Sequence, residues 1–167
     1  MNKNETQKKI YIAGFDVFCD DAKQIGEDYK RICSEYGFLG FYPLDNDEEH
    51  SNAIFLGNVS LINQCDIIVA NLNDFRGATM DDGTAFELGY GYAKNKILYG
   101  YMDHLQEMIL KIGAKDENGY NVEDFGHPIN LMIAESTTII RGNFEDCIKQ
   151  LSLDLEPKLT LERTYKK

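Results

Sequence analysis

Two rhythms of apolar residues alternate along the chain. Ile10-Tyr11-Ile12-Ala13-Gly14 is a short β-type run that predicts a first strand. Ile25, Tyr29, Ile32 and Cys33 then share one face at three- and four-residue spacing, predicting a helix from Asp20-Asp21 to about Tyr36, stopped at Gly37. Phe38-Leu39-Gly40-Phe41-Tyr42 predicts a second strand, residues 43–51 an acidic loop, and Phe55, Val59 and Ile62 a helix reaching Cys65. Residues 66–71 form an almost unbroken apolar run, the pattern of a strand buried on both faces. After a loop over 72–82, a helix carrying Glu87 runs to about Asn95, with Lys94 and Lys96 at its negative end. Residues 97–101 predict a fourth strand and 137–141 a fifth, and Asn143 caps a last helix that buries Phe144, Cys147, Ile148 and Leu151. Between these, only a short helix near Met108, a mobile loop at 115–119 and a helical turn or two over 128–134 are legible. Strands alternating with helices predict an α/β fold, a doubly wound, flavodoxin-like parallel sheet of five strands in the order 2-1-3-4-5. One domain is expected over 1–167, with its core at about 9–155, a polar leader at 1–8 and a polar tail over 156–167.

Composition narrows the partners. Seventeen basic against 28 acidic residues give a net charge of −11, which opposes a nucleic-acid polymer and suits a neutral or cationic small ligand. The widely spaced Cys19, Cys33, Cys65 and Cys147 read as reduced, mostly buried thiols. Neither they nor His50, His104 and His127 show metal-ligand spacing. No apolar run reaches membrane-spanning length and the first residues lack a signal-peptide core, so a cytoplasmic protein is expected.

Candidate chemistry gathers at Asp81-Asp82-Gly83-Thr84-Ala85-Phe86-Glu87-Leu88-Gly89, a turn and helix start directly beyond the third strand. Ligands of open α/β sheets bind beyond the carboxyl ends of the strands, and paired carboxylates serve glycosidic cleavage. Thr84 to Glu87 also fits a capping box, in which the Glu folds back onto its own helix. Against that stand Gly89 and Gly91 within the helix, as if something approached closely, and the cost of gathering three carboxylates. Tyr11 faces the same crevice and could orient a carboxylate, or be an ordinary half-buried strand residue. Gly14 and Phe15 open the loop that would roof the crevice, where Phe15 or Phe18 could stack on a planar base or pack beneath the loop. With one Gly and Asp16, this loop is not a phosphate cradle. Arg76 either donates to a ligand carbonyl or pairs with Asp81 or Asp82, and Asn130 either caps a short helix or serves a site with the apolar Met132.

Taken together, these segments resemble the nucleoside 2-deoxyribosyltransferase family. The resemblance spans about residues 9–150. It rests on Ile10-Tyr11-Ile12-Ala13-Gly14, Tyr42-Pro43-Leu44-Asp45-Asn46, Cys65-Asp66-Ile67-Ile68-Val69-Ala70-Asn71, Asp74-Phe75-Arg76-Gly77, the Asp81–Gly89 run above and Pro128-Ile129-Asn130-Leu131-Met132. It implies that Glu87 attacks the anomeric carbon of a 2′-deoxynucleoside, giving a covalent deoxyribosyl-enzyme from which a free nucleobase takes the sugar with retention. It implies further that Asp81 contacts and protonates the base, and that Tyr11 orients the nucleophile. Gly83 lies between the two acids of this motif and is expected beside the substrate. Asn130 and Met132 would complete a neighbouring subunit's site in a homo-oligomer. Asn58 stands where the family has an Asp, so it can hydrogen-bond but not act as an acid. A C-terminal carboxylate serves the site in some members, whereas this chain ends in a longer tail, Tyr165-Lys166-Lys167. The Asp-Asp-Gly-Thr-Ala-Phe-Glu and Asn-Leu-Met-Ile-Ala runs lean towards purine-preferring members, and no cofactor is implied.

Two other readings share the predicted fold. A hydrolase of deoxynucleoside 5′-monophosphates would use a similar Glu, but the loop after strand one is acidic and poor in glycine. A phosphoacceptor receiver expects an acidic pair after strand one, an Asp ending strand three and a Lys after strand five. Here Asp16 is alone, strand three ends in Asn71 and Arg141 follows strand five.

Overall fold

In the computed structural model, which describes residues 7–46 and 48–156, one parallel sheet carries the whole arrangement. Its strands are β1 (Lys9–Ala13), β2 (Leu39–Phe41), β3 (Ile67–Asn71), β4 (Ile97–Met102) and β5 (Thr138–Arg141). Their order is β2-β1-β3-β4-β5, the predicted one, with Tyr11 opposite Ile68 and Ala70 opposite Gly100. The helices are α1 (Ala22–Glu35), α2 (Ser51–Gln64), α3 (Asp82–Ala93), α4 (Met108–Ile112), α5 (Leu131–Ala134) and α6 (Phe144–Leu155). Two 3₁₀ turns, Phe15–Phe18 and Pro43–Asp45, lie where the sequence reads as plain loop. The polar leader up to residue 6 and the tail from 157, including Tyr165-Lys166-Lys167, lie outside the described residues.

The strand pleat sorts β1 into two layers. Ile10 and Ile12 join α1 and α6 in one apolar cluster, with Cys33, Phe144, Cys147 and Leu151. Tyr11 and Ala13 point the other way and pack with Ile62, Ile68 and Leu88 beneath α2 and α3. The alternation therefore delivers Tyr11 to the layer that holds Glu87. Cys33, Cys65 and Cys147 are buried, Cys19 is exposed, and all four are free. Among the described residues no helix is long and apolar enough to cross a membrane.

Gly91 serves packing rather than ligand approach. A Cβ on Gly91 would come within 2.4 Å of Ile68 Cδ1 and 3.1 Å of Leu98 Cδ2, so this glycine lets α3 lie close on the sheet. Gly89 has open space on its Cβ side. Gly91→Ala should thus lower stability by about 1–3 kcal/mol despite alanine's better helix propensity. Gly89→Ala should stabilise or be neutral. Paired chemical denaturation curves check both signs.

Candidate active site

β1 ends at Ala13, and Gly14 turns the chain with φ 152° directly against β3. A Cβ there would sit 2.8 Å from both Asn71 Cβ and Asp16 Oδ2, so only glycine fits this crossing. The turn leads the following loop over a cavity of about 350 Å³ at the carboxyl end of the sheet. Glu87, Asp81, Gly83, Gly14 and Asn58 all line it, together with Phe18.

Glu87 does not fold back onto its helix. The N-cap of α3 is Asp81, not Thr84, and Asp81 Oδ2 accepts from Thr84 N (2.8 Å) and Thr84 Oγ1 (2.9 Å). With the helix start so satisfied, the Glu87 carboxylate turns to β1, where the buried Tyr11 hydroxyl donates to Glu87 Oε1 at 2.5 Å. Tyr11 is therefore a fully buried residue behind the carboxylate rather than a half-buried strand residue. Burial pushes the Glu87 carboxyl up from 4.5 to about 7; the Tyr11 hydrogen bond opposes this and the nearby Asp81 charge adds to it. Burial, with the Glu87 charge and hydrogen bond, raises the Tyr11 phenol well above its usual value, so it stays a donor.

Tyr11→Phe tests this contact. Losing the donor removes the one influence that holds the carboxyl down, so the acid limb of activity should move above pH 7. The rate should fall about tenfold as the carboxylate loses its fixed rotamer. A pH–rate profile of the variant reads both, and an unmoved limb would show that Tyr11 does not govern this group.

Arg76 pairs with neither Asp81 nor Asp82. Its backbone is left-handed (φ 54°) and its guanidinium lies over the Phe75 ring at 4.6 Å and the Phe18 ring at 5.1 Å. Phe75 in turn stacks on Phe15 (5.0 Å, 9°) and on Phe18 (5.4 Å, 12°). This aromatic clasp joins the loop after β1 to the loop after β3 at the rim of the cavity. Phe15 faces a separate cavity on the α1 side, whereas Phe18 reaches the Glu87 cavity. The sequence offered Asp74-Phe75-Arg76-Gly77 as a motif, but not the stacking partner.

Asp16 is equally engaged, accepting from Tyr29 OH (3.2 Å) and Asn71 Nδ2 (3.0 Å). Among the described residues Asn58 Oδ1 is buried without a partner, and so is Nδ2 of Asn46, which also lines the cavity. Orphaned buried amides at a cavity wall are groups a ligand can satisfy. Asn46 lies in a segment that reads as an acidic loop and counts towards the family resemblance, but nothing in the sequence marks it as a site residue. Asn130 and Met132 do not line this cavity. Asn130 caps α5, its Oδ1 accepting from Met132 N at 3.0 Å, and both residues face outward.

Known proteins resemble the chain in sequence and in fold. The profile of the family described as nucleoside 2-deoxyribosyltransferase matches residues 10–132. A 2-desoxiribosyltransferase from Leishmania mexicana superposes with a TM-score of 0.80 at 33% identity, covering 87% of this chain and 97% of its own. A CMP N-glycosidase of Clostridium botulinum shares the fold, with a TM-score of 0.52 at 16% identity over 87% of this chain and 99% of its own. An uncharacterized protein of Schizosaccharomyces pombe is 36% identical over 102 residues, 55% of this chain and 48% of that protein, so the chain spans about half the length of this curated relative. With a profile match over most of its length and a relative one-third identical across 87% of it, the chain belongs to the nucleoside 2-deoxyribosyltransferase family.

Proposed function

We propose that the protein exchanges the base of a 2′-deoxynucleoside for a free nucleobase, through a covalent deoxyribosyl-Glu87 intermediate. The observation that carries this reading is a carboxylate held by a buried phenol at the wall of a cavity that a second carboxylate shares. Glu87 attacks the anomeric carbon as the glycosidic C–N bond breaks. Oxygen lone pairs of the carboxylate stabilise the oxocarbenium-like charge and then form the C–O bond. The proton that the Glu87–Asp81 pair holds passes to Asp81 Oδ1, the oxygen that Thr84 leaves free, as Glu87 attacks in its ionised form. From there it goes to the departing base, and the incoming base returns one. The incoming base displaces Glu87 from the face the first base left, so two inversions give retention. Asn58 and Asn46 offer amides to the substrate.

Hydrolysis of a deoxynucleoside 5′-monophosphate is the other reading. Among the described residues that line the cavity, Glu48, Asp81 and Glu87 are acidic and none is Lys, Arg or His. A phosphate dianion would meet repulsion there, which favours an uncharged nucleoside. The purine preference follows the family resemblance of the Asp81–Glu87 and Asn130–Ala134 runs, and a cytoplasmic salvage role belongs to the same reading. A homo-oligomer is supported by Phe86, Tyr92 and Met132, large apolar groups exposed on α3 and α5. In it, Asn130 and Met132 complete a neighbour's site.

Incubation with a deoxynucleoside and a second base, across purine and pyrimidine pairs, tests the proposal. Exchanged nucleoside supports it. Free deoxyribose as the sole product, or turnover only of 5′-monophosphates, overturns it.

A further inference from the structure

We infer that Glu123 is a positioning residue, aiming the Asn130 amide away from its own chain and into the Glu87 site of a second copy. The inference rests on the shared site proposed above. Asn130 is exposed and stands outside the Glu87 cavity of its own chain, yet its amide is locked at both ends. Asn130 Nδ2 donates to Glu123 Oε1 at 2.5 Å, and Asn130 Oδ1 accepts from Met132 N at 3.0 Å. The second Glu123 oxygen, Oε2, accepts from Leu131 N at 2.8 Å. One carboxylate thus fixes both the side chain and the backbone of this corner through charge-assisted bonds.

The bonds also determine which way the amide faces, nitrogen towards Glu123 and oxygen towards the start of α5. One N–H and one lone pair of Asn130 remain to point outward. An exposed asparagine ordinarily samples several rotamers; this one is fixed, so its free N–H and lone pair keep a single outward direction.

The neighbouring surface says where that partner sits. Ala85, Gly89 and Tyr92 of α3 and Leu131, Met132 and Ile133 of α5 wall an apolar groove of about 310 Å³. Met132 is 71% and Tyr92 65% exposed at its edges. One wall is the helix that carries Glu87, so a second copy seated on the groove abuts a catalytic helix. Two-fold pairing would return the favour, each chain offering its Glu123-aimed amide to the other.

Subunit complementation tests this. Glu123→Ala chains, slowed when alone, and Glu87→Gln chains, inactive when alone, are co-expressed with different tags and the mixed dimer is purified. In the mixed dimer one of the two sites combines an intact Glu87 with an Asn130 aimed by an intact Glu123. Glu123→Ala homodimers should exchange bases roughly 10–100-fold more slowly, as expected for a misplaced binding group, and the mixed dimer should recover about half of the wild-type rate per dimer. Glu123→Gln, which keeps one acceptor oxygen, should recover part of the loss on its own and guards against a folding defect in the alanine variant. Asn130→Ala paired with Glu87→Gln is the control. Recovery with Asn130→Ala but not with Glu123→Ala would overturn the aiming role and leave the shared site standing. Recovery with neither would overturn the shared site itself. Glu123 variants that no longer dimerise would place the residue in assembly rather than in aiming, and would also overturn the inference.

Discussion

Glu87→Gln should lose base exchange by at least ~10⁴-fold while gaining much more heat stability at pH 8 than at pH 5. The first effect is the removal of the nucleophile, whose loss in other covalent enzymes has costs of this order or larger. The second follows from protonation. Folding raises the Glu87 carboxyl from 4.5 to about 7 because burial disfavours its charge, so the folded chain binds more protons than the unfolded chain between those values. Its contribution is wholly present below pH 4.5 and is lost as the pH rises through 7. At pH 8 the wild type bears the full cost of a desolvated charge, about 1–3 kcal/mol after allowing for the open side of the cavity. A glutamine still accepts from Tyr11 and carries no charge, so its melting temperature should exceed the wild type's by roughly 2–10 °C at pH 8. Thermal melts at the two pH values, beside an exchange assay, are sufficient. An equal shift at both would mean that the carboxyl is not desolvated, and near-normal exchange would put the nucleophile elsewhere.

Asp81→Asn should slow exchange ~10²–10⁴-fold at nearly unchanged stability. Asp81 holds two positions at once, helix cap through Oδ2 and cavity acid through Oδ1. Asparagine caps as well as aspartate, because its carbonyl still accepts from Thr84, but its amide has no proton of suitable acidity to give a departing base. Asp81→Ala should show the same rate loss together with a further ~1–2 kcal/mol of destabilisation from the lost cap. Donors with poor leaving bases should suffer more than those with good ones. If all donors are slowed alike in Asp81→Asn, the residue binds the base without protonating it.

The sheet was legible because burial on both faces leaves apolar runs such as 67–70, and because α1 and α6 each declare one apolar face. Helix ends were legible where a side chain caps them, as at Asn143, whose amide and Asp146 form a capping box. The same logic misled at Thr84–Glu87. Two residues in the right spacing form a capping box only if no better acceptor precedes them, and Asp81 does. Competition of that sort is three-dimensional, since the contact that drew Glu87 away comes from Tyr11, seventy-six residues earlier. Arg76 shows the converse. Nearby carboxylates suggested an ion pair, whereas the guanidinium lies over two aromatic rings from different loops. Glu123 was illegible because nothing in a polar, weakly patterned stretch distinguishes the one carboxylate that meets Asn130 from those that meet water.

The clasp of Phe15, Phe75 and Phe18 under Arg76 also bears on how the protein meets its ionic surroundings. A gateway latched by a surface ion pair would loosen as electrolyte is added, because such pairs are screened over about 10 Å at 0.1 M. Stacked rings are held mainly by dispersion, to which mobile ions are nearly indifferent, and salt screens only the contact of the exposed guanidinium above them. Brine should therefore leave this gateway's shape alone and act instead on the two acids within, easing their mutual repulsion and letting Glu87 ionise at slightly lower pH.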